Sequence, residues 1–291
     1  MSKIPEIDFE QLDALIALAL NEDLGDLGDA TTLAVIPAGL AAHAVLLAKE
    51  ECVCAGLPVA ARVFAKVDRS IKFTPLVEEG TLCAKGTLLA RIVGPARALL
   101  TGERTALNFL QRLCGVATVS RRYALELEGT NAKILDTRKT TPGFRNLEKY
   151  AVAVGGATNH RIGLYDRIMI KDNHRELAGM EGSGGIARSV KRARESYPQL
   201  EVEVEVDNLE ELREAVAAGA DYILLDNMDN PTMAEAVRIN AGAAKLEASG
   251  GITLARLRSI GELGVDYISS GALTHSVKSS DISMDIELEE A

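Results

Sequence analysis

The sequence predicts an α/β protein: a parallel β/α domain of the barrel kind, preceded by an α+β half with a different rhythm. Three observations carry this. Short apolar strands alternate with amphipathic helical segments from about residue 130 onward, and such alternation builds parallel β/α units. The units recur at roughly 20-residue spacing, which suits a barrel better than a sheet with large insertions. Gly219, Gly242 and Gly264 fall just past helical segments, where left-handed caps belong. Six strands are clear and there is room for one more, so a full eight is not required.

Composition bounds the function. The 291 residues suffice for one large domain or two modest ones, and 47% hydrophobic with 25% charged residues means a packed core rather than disorder. Aromatics make up 4% and Trp is absent, which excludes an aromatic platform for stacked bases. The net charge of -10 disfavours diffuse attraction to nucleic acid or an anionic membrane. An anionic ligand would need a local cationic island. The opening MSKIPEIDFEQ has no apolar core of a signal peptide, and runs such as Ala44–Ala48 and Tyr222–Leu225 are far shorter than the ~20 residues of a membrane span. Cys52, Cys54, Cys83 and Cys114 lack zinc spacing, so free thiols in a cytoplasmic protein are expected.

In chain order, Phe9, Leu12, Leu15, Ile16, Ala19 and Leu20 mark an amphipathic helix ending near Gly25. Strands follow at Ala44–Ala48 and Ile71–Phe73, with a hairpin expected around Gly80–Gly86. The stretch from Val77 to Ala90 faintly resembles a lipoyl or biotinyl half-motif with Lys85 as the modified residue; two glycine turns between edge strands explain it more simply. Ala106, Leu107, Leu110, Leu113 and Cys114 share one face of a helix over Thr101–Thr118. The acidic tail Ser283–Ala291 alternates Ile and Leu and is expected to return to this half. The domains are thus 1–115, with 276–291 added, and 116–275. Barrel strands are expected at Ala132–Leu135, Arg167–Ile170, Glu201–Val206, Asp221–Leu225, Ala244–Ala248 and Val265–Ser269. The later helices show in Leu209, Leu212, Val216; Met233, Ala236, Val237; and Leu254, Leu257, Ile260.

Reactive groups in parallel β/α folds lie at the carboxyl ends of strands. Those ends carry Asp136, Thr137, Arg138, Lys139; then Lys171, Asp172, Asn173, His174; then Glu205 and Asp207; then Asp226 and Asn227; then Ser249, Gly250, Gly251; and finally Ser270, Gly271, Ala272. Period two places Glu201, Glu203 and Glu205 on one face of their strand and the valines on the other. In a barrel the valines pack on helices and the glutamates point inward, where they need cations. Lys139, Lys171 and Lys245 are the expected partners. The loops Ser249–Gly251 and Ser270–Ala272 follow the last two strands, where barrels seat phosphate on backbone N–H groups. Arg138, Arg161 and Lys139 together suit a small dicarboxylate, and His160-Arg161 sits between apolar segments as a further candidate. Arg104, at a helix start, reads as surface on its own, and the basic segment Ile186–Tyr197 as a solvated outer face.

Several motifs resemble the quinolinate phosphoribosyltransferase family, also called nicotinate-nucleotide pyrophosphorylase (carboxylating). They are Asp136-Thr-Arg-Lys-Thr-Thr-Pro-Gly-Phe-Arg145, Asn159-His-Arg-Ile-Gly-Leu-Tyr-Asp166, Ile170-Lys-Asp-Asn-His174, Glu203-Val-Glu-Val-Asp207 and Leu225-Asp-Asn-Met228, together with Glu22-Asp-Leu-Gly25, Gly28-Asp-Ala-Thr-Thr32 and Gly102-Glu-Arg-Thr-Ala-Leu-Asn108. The resemblance runs from about residue 10 to 277, in the family's order, and no motif departs from the pattern.

The resemblance implies a type II phosphoribosyltransferase: an N-terminal α+β sandwich-like domain plus an incomplete, seven-stranded α/β barrel. The implied reaction joins quinolinate to phosphoribosyl diphosphate, giving nicotinate mononucleotide, carbon dioxide and diphosphate on the way to NAD. Magnesium accompanies the diphosphate. Arg138, His160 and Arg161 would hold the quinolinate carboxylates, with Thr137, Lys139 and Lys171 in the same pocket. Glu205 and Asp226 would face the ribose, and the loops Ser249–Gly251 and Ser270–Ala272 would bind phosphate. Arg104 would enter the neighbouring subunit's site of an obligate homodimer, a higher oligomer being left open. The catalytic group would be Lys139, Glu205 and Asp226. Three other readings fit the residues less well: an aldolase forming a Schiff base through Lys171, a relative using nicotinate, and a non-catalytic anion-binding regulator.

Overall fold

A computed structural model describes residues 4–182 and 184–287. The elements run α1 (Phe9–Leu24), α2 (Ala30–Val35), β1 (Ala41–Ala48), β2 (Cys52–Val53), α3 (Leu57–Val67), β3 (Lys72–Pro75), β4 (Leu82–Cys83), β5 (Leu88–Pro95), α4 (Ala96–Glu126), β6 (Lys133–Leu135), α5 (Arg145–Val154), β7 (Ile168–Ile170), α6 (Asp172–Gly179), α7 (Gly185–Ser196), β8 (Val202–Val206), α8 (Leu209–Ala217), β9 (Tyr222–Asp226), α9 (Asn230–Asn240), β10 (Lys245–Ser249), α10 (Leu254–Gly261), β11 (Tyr267–Ser269), α11 (Ala272–His275) and β12 (Ile282–Glu287). They form two compact units: Met1–Arg121 with Thr141–Gly156 and Ser276–Ala291, and Arg122–Thr140 with Ala157–His275.

In the first unit, Asp8 starts α1 by accepting the amides of Glu10 and Gln11, and the helix buries Leu12 and Ile16. α3 has no capping side chain of its own, since Gly56 precedes it; the Glu79 carboxylate accepts the Gly56 and Leu57 amides at 2.6 and 2.9 Å instead. The hydroxyl of Tyr150 donates to the same carboxylate at 2.7 Å. The antiparallel sheet runs β12-β1-β5-β3, so the tail does return beside β1, with Ser283 opposite Leu47. Positions 288–291 of the expected tail strand lie outside the described residues. The hairpin expected around Gly80–Gly86 does not form. β4 pairs with β2, placing Cys83 opposite Cys52, whereas β5 pairs with β1 and β3. Gly80 and Gly86, at φ +84° and +93°, turn the chain out of one sheet and into the other. The four cysteines are buried thiols. Among the described residues no helix is long and apolar enough to cross a membrane.

The second unit is a parallel sheet in the order β6-β11-β10-β9-β8-β7. Its strands match the expected ones to within about two residues at each end, the usual fraying of boundaries. A single parallel bridge from Leu135 to Thr158 occupies the seventh place, beside β6. Every residue of β8 is buried, which only a strand covered on both faces allows. Fully enclosed Val202, Val204 and Val206 each contribute roughly 1.5–3 kcal/mol by burial. Asn208 caps α8 and Asp229 caps α9, each accepting amides of the first turn. The expected basic helix is α7, whose Arg192 pairs with Glu181 in solvent.

Candidate active site

Because the six strands of the second unit run parallel, their carboxyl ends share one mouth. A cavity of about 710 Å3 opens there. The turn after β6 supplies Thr137, Arg138 and Lys139; the segment before β7 supplies His160 and Arg161; the end of β7 supplies Lys171. β8 and β9 supply Glu205 and Asp226, and the turn after β10 supplies Ser249, Gly250 and Gly251. Eleven residues singled out in the sequence thus line one chamber.

One side of this chamber is cationic. Arg138 has a buried Nε that makes no hydrogen bond among the described residues. Arg161 has its pKa lowered, first by burial and then by the charge of Arg138. Two guanidiniums close enough to repel and partly shut off from water are suited to an anion. The Nη1 of Arg161 donates to the Arg167 carbonyl at 3.0 Å, which ties down one edge of the fork.

The other side is acidic. Lys171 Nζ lies 2.5 Å from Glu205 Oε2. Asp226 has its pKa raised by burial, then by Glu205 and Asp207, so negative charge there exceeds the local cations. Of the inward glutamates, Glu203 and Glu205 are enclosed, but Glu201 sits at the strand's start with an exposed side chain. Of their expected lysine partners, Lys171 does hold Glu205, but Lys245 needs correction. Lys245 is exposed at the opposite end of β10 and pairs with Asp266 at 2.7 Å. Glu203 instead meets His160 Nε2 at 3.3 Å and Arg167 Nη1 at 3.5 Å, and Glu247 meets His160 Nε2 at 3.3 Å. Burial lowers the His160 pKa, while these two carboxylates pull it upward. The Arg161 amide works against a second proton: it donates to Nδ1 at 2.7 Å, which demands a lone pair there.

Both glycine loops are present, but they do different things. Gly250 has φ +84°, and a Cβ on it would fall 2.2 Å from Asn227 Oδ1 and 2.8 Å from the Asn227 amide nitrogen. Only glycine lets the loop sit this close to the tip of β9, where Asn227 itself takes a left-handed φ of 54°. Ser270, Gly271 and Ala272 are not in the cavity wall. The Ser270 amide donates to Leu135 O at 3.0 Å and that of Ala272 to Ser270 Oγ at 3.3 Å, so both are spent internally. The loop backs Lys139: Thr274 Oγ1 donates to the Lys139 carbonyl at 2.8 Å, and a Cβ on Gly271 would meet Lys139 Cδ at 2.8 Å. Arg104 is exposed on α4 in the first unit and does not line this chamber.

The wall also contains Asp172 and Asn227, which the sequence places at strand ends without a role, and Met169, Leu224, Glu247 and Ser269, which it does not single out as site residues. Period-two alternation from Lys171 and Asp226 points to Met169 and Leu224, and from Ser249 to Glu247. A second hollow of about 430 Å3 in the first unit is lined mainly by apolar residues such as Leu15, Leu18 and Phe109. Its arginine, Arg112, is bound to the buried Glu148 at 2.6 Å, so it offers no comparable chemistry.

Residues 29–114 match the family description "Quinolinate phosphoribosyl transferase, N-terminal domain", and residues 116–285 match "Quinolinate phosphoribosyl transferase, C-terminal domain". The chain belongs to the quinolinate phosphoribosyltransferase family. Within it, a Bacillus subtilis protein named probable nicotinate-nucleotide pyrophosphorylase (carboxylating) is 44% identical over 279 residues, covering 96% of this chain and 94% of the relative. A chloroplastic nicotinate-nucleotide pyrophosphorylase (carboxylating) of rice, Oryza sativa subsp. japonica, is 43% identical over 96% of this chain and 78% of its own. Among solved structures, the nicotinate-nucleotide pyrophosphorylase of Francisella tularensis superposes with a TM-score of 0.91 at 36% identity, covering 99% of this chain and 100% of that one. NadC from Streptococcus pyogenes does so at 0.91 and 41%, covering 97% and 99%. Human nicotinic acid phosphoribosyltransferase, at 14% identity and a TM-score of 0.62 over 88% of this chain and 72% of that one, shares the fold alone. The quinolinate phosphoribosyltransferase family is therefore matched along both units.

Proposed function

We propose that the chamber transfers phosphoribosyl from phosphoribosyl diphosphate to quinolinate with loss of carbon dioxide, yielding nicotinate mononucleotide and diphosphate. The observation that carries this is the Arg138–Arg161 pair facing, across one cavity, the carboxylates Glu205 and Asp226. The cationic side fits a flat dicarboxylate. A guanidinium grips each carboxylate by two parallel hydrogen bonds, which a point charge does not. Lys139 lies beside them, and its backbone is anchored by Thr137 Oγ1 and Thr274.

The acidic side fits the ribose. As the pyridine nitrogen forms its bond to the anomeric carbon, the bond to the diphosphate oxygen breaks and the ribose gains positive charge. Glu205 and Asp226, preorganised in a chamber partly shut off from water, stabilise that charge. Loss of the carbon 2 carboxylate as carbon dioxide then leaves its electron pair on carbon 2, stabilised by the adjacent positive nitrogen, and a solvent proton bonds to that pair. Lys139 orients the departing carboxylate. The Ser249–Gly251 turn offers backbone amides to phosphate.

Magnesium enters with the diphosphate and would neutralise its leaving charge. Asp226 fits it as a hard oxygen donor, because its raised pKa marks local negative charge that the protein leaves uncompensated. We place the enzyme in the cytoplasm, where buried thiols such as its four cysteines remain reduced. It works as a homodimer, with the exposed Arg104 completing the partner's chamber. A Schiff-base role for Lys171 is disfavoured because its Nζ is engaged by Glu205.

The test is incubation with quinolinate, phosphoribosyl diphosphate and magnesium, followed by detection of nicotinate mononucleotide and carbon dioxide in equal amounts. Use of nicotinate in place of quinolinate, or binding without turnover, would refute the reading.

A further inference from the structure

We propose that His160 is a positioning residue: Glu203 and Glu247 hold its imidazole from the inward face of the sheet, its Nδ1 fixes the Arg161 peptide, and neither ring nitrogen bonds the substrate. This rests on the assignment of the chamber to quinolinate and departs from the role expected for His160, that of a direct carboxylate ligand.

The geometry allots both nitrogens. A backbone N–H can only donate, so the 2.7 Å contact from Arg161 N requires a lone pair on Nδ1. The single proton of the neutral ring is then on Nε2, which lies 3.3 Å from both Glu203 Oε2 and Glu247 Oε2, an electrostatic contact rather than an aligned hydrogen bond. The ring is 7% exposed and each carboxylate 0%. The main chain is pinned as well. The His160 amide donates to Asp136 Oδ1 at 2.7 Å, and Asn159 Nδ2 donates to Asp136 Oδ2 at 2.9 Å. Thr158 exchanges backbone bonds with Ile134 and Asp136. On the other side of the Arg161 Cα the Ile162 amide donates to Asp166 Oδ2 at 2.6 Å, so the backbone is held before and after it.

Arg161 needs such a clamp because it is placed beside Arg138, and two like charges in a shielded site would otherwise swing apart. The charged groups around the imidazole are Glu203 on β8, Glu247 on β10, Asp136 after β6, and Arg161 and Arg167 before β7. Burial, and then Glu203, raises the Glu247 pKa, which favours a neutral carboxyl at that position and leaves one net negative charge for Nε2–H to meet.

The same three side chains resemble a metal site, with ligand atoms all within 4.8 Å of one another. The Arg161 amide argues against one. With Nδ1 accepting, Nε2 carries the proton and has no lone pair for an ion, unless the ring becomes an imidazolate.

Two measurements test the proposal. Nitrogen-15 spectra of the histidine rings, assigned by loss of a signal in His160→Gln, should show a fixed Nε2–H tautomer in the unliganded chain, unmoved by quinolinate. A doubly protonated ring at neutral pH, free tautomer exchange, or a ring-nitrogen shift on adding quinolinate would each overturn it. In Glu203→Gln and Glu247→Gln the tautomer should begin to exchange.

In kinetics, His160→Ala should raise the quinolinate KM about tenfold, the usual cost of one lost hydrogen bond, with the phosphoribosyl diphosphate KM unchanged. His160→Asn keeps an acceptor near the Nδ1 position and should recover most of the loss, whereas rescue by His160→Gln alone would indicate a direct contact from Nε2 and overturn the proposal. If the wild-type chain failed to turn over quinolinate, the functional reading would fall, while the ring spectra of the unliganded chain would still decide the lock.

Discussion

Lys171 Nζ and Glu205 Oε2 lie 2.5 Å apart at the cavity wall, and the two ends of this pair differ in environment: the lysine side chain is 45% exposed, the glutamate 9%. An exposed pair contributes about 0–1 kcal/mol, but a buried carboxylate stripped of its partner costs more. A double-mutant cycle of Lys171→Ala and Glu205→Gln should therefore give a coupling of about 1 kcal/mol in denaturant unfolding. Glu205→Gln should fold and lose turnover by about ten- to a hundredfold, since a neutral amide no longer stabilises positive charge on the ribose. Unfolding of Glu205→Gln would make the carboxylate structural.

Arg161→Lys tests the forked grip. The substitution keeps the charge but loses the planar pair of donors and the bond to the Arg167 carbonyl. Calorimetric affinity for quinolinate should fall by roughly 1–3 kcal/mol, the range for hydrogen bonds to charged groups. Unchanged affinity would remove Arg161 from the dicarboxylate site.

The parts of this site that could be read in the sequence are those set by strand periodicity. Each parallel strand ends where its apolar run stops, so Arg138, Lys171, Glu205, Asp226 and Ser249 were placed at one mouth by counting alone. What escaped was set by partners distant in sequence. Nothing local in Glu203 or Glu247 announces His160 between them, and an alternating glutamate pattern suggests lysine partners before a histidine. The turn at Ser270–Ala272 gives its first amide to the carbonyl of Leu135, a partner that its Ser-Gly pattern does not announce. The glycines at 80 and 86 have the spacing of a hairpin, but the pairing partners of the flanking strands lie at Cys52–Val53 and in β1.

Gly250→Ala probes the phosphate turn. Its φ of +84° disfavours any side chain, and the added carbon would meet the Asn227 amide nitrogen at 2.8 Å, which cannot swing aside. Strain of about 1–3 kcal/mol is expected. It should appear as a lower Tm and a raised KM for phosphoribosyl diphosphate, with quinolinate affinity in the absence of the co-substrate retained. A normal KM would show that the turn does not hold phosphate.

Asp226 gives a prediction with opposite signs for stability and activity. Its folded pKa is raised, first by burial and then by Glu205 and Asp207. The fold therefore favours its protonated form. That stabilisation is complete below the unfolded carboxylate pKa, about 3.9, and is lost as pH rises through the higher folded value. At pH 7 the ionised group works against the fold, so Asp226→Asn should raise the Tm of the metal-free protein at pH 7 and change it little at pH 3, while turnover falls. A lower Tm at pH 7 would mean that the carboxylate is compensated by a cation in the folded chain.

Arg104 belongs to the first unit and is not among the residues that line the chamber. It is exposed on α4, whereas its neighbours Thr105, Ala106 and Leu107 are buried, so the helix commits its other face to the core and presents this guanidinium outward. A shared active site predicts complementation. Arg104→Ala and Lys139→Ala should each fold and each be nearly inactive alone. In a mixed dimer, one chamber receives intact Lys139 from one chain and intact Arg104 from the other, while the second chamber lacks both. Random reassortment of equal amounts makes half the dimers mixed, with one working chamber of two, so the mixture should recover about a quarter of wild-type activity after subunit exchange by dilution and reconcentration. Full activity of Arg104→Ala alone, or no recovery on mixing although exchange is verified by mass-labelled chains, would confine each chamber to the residues of its own chain.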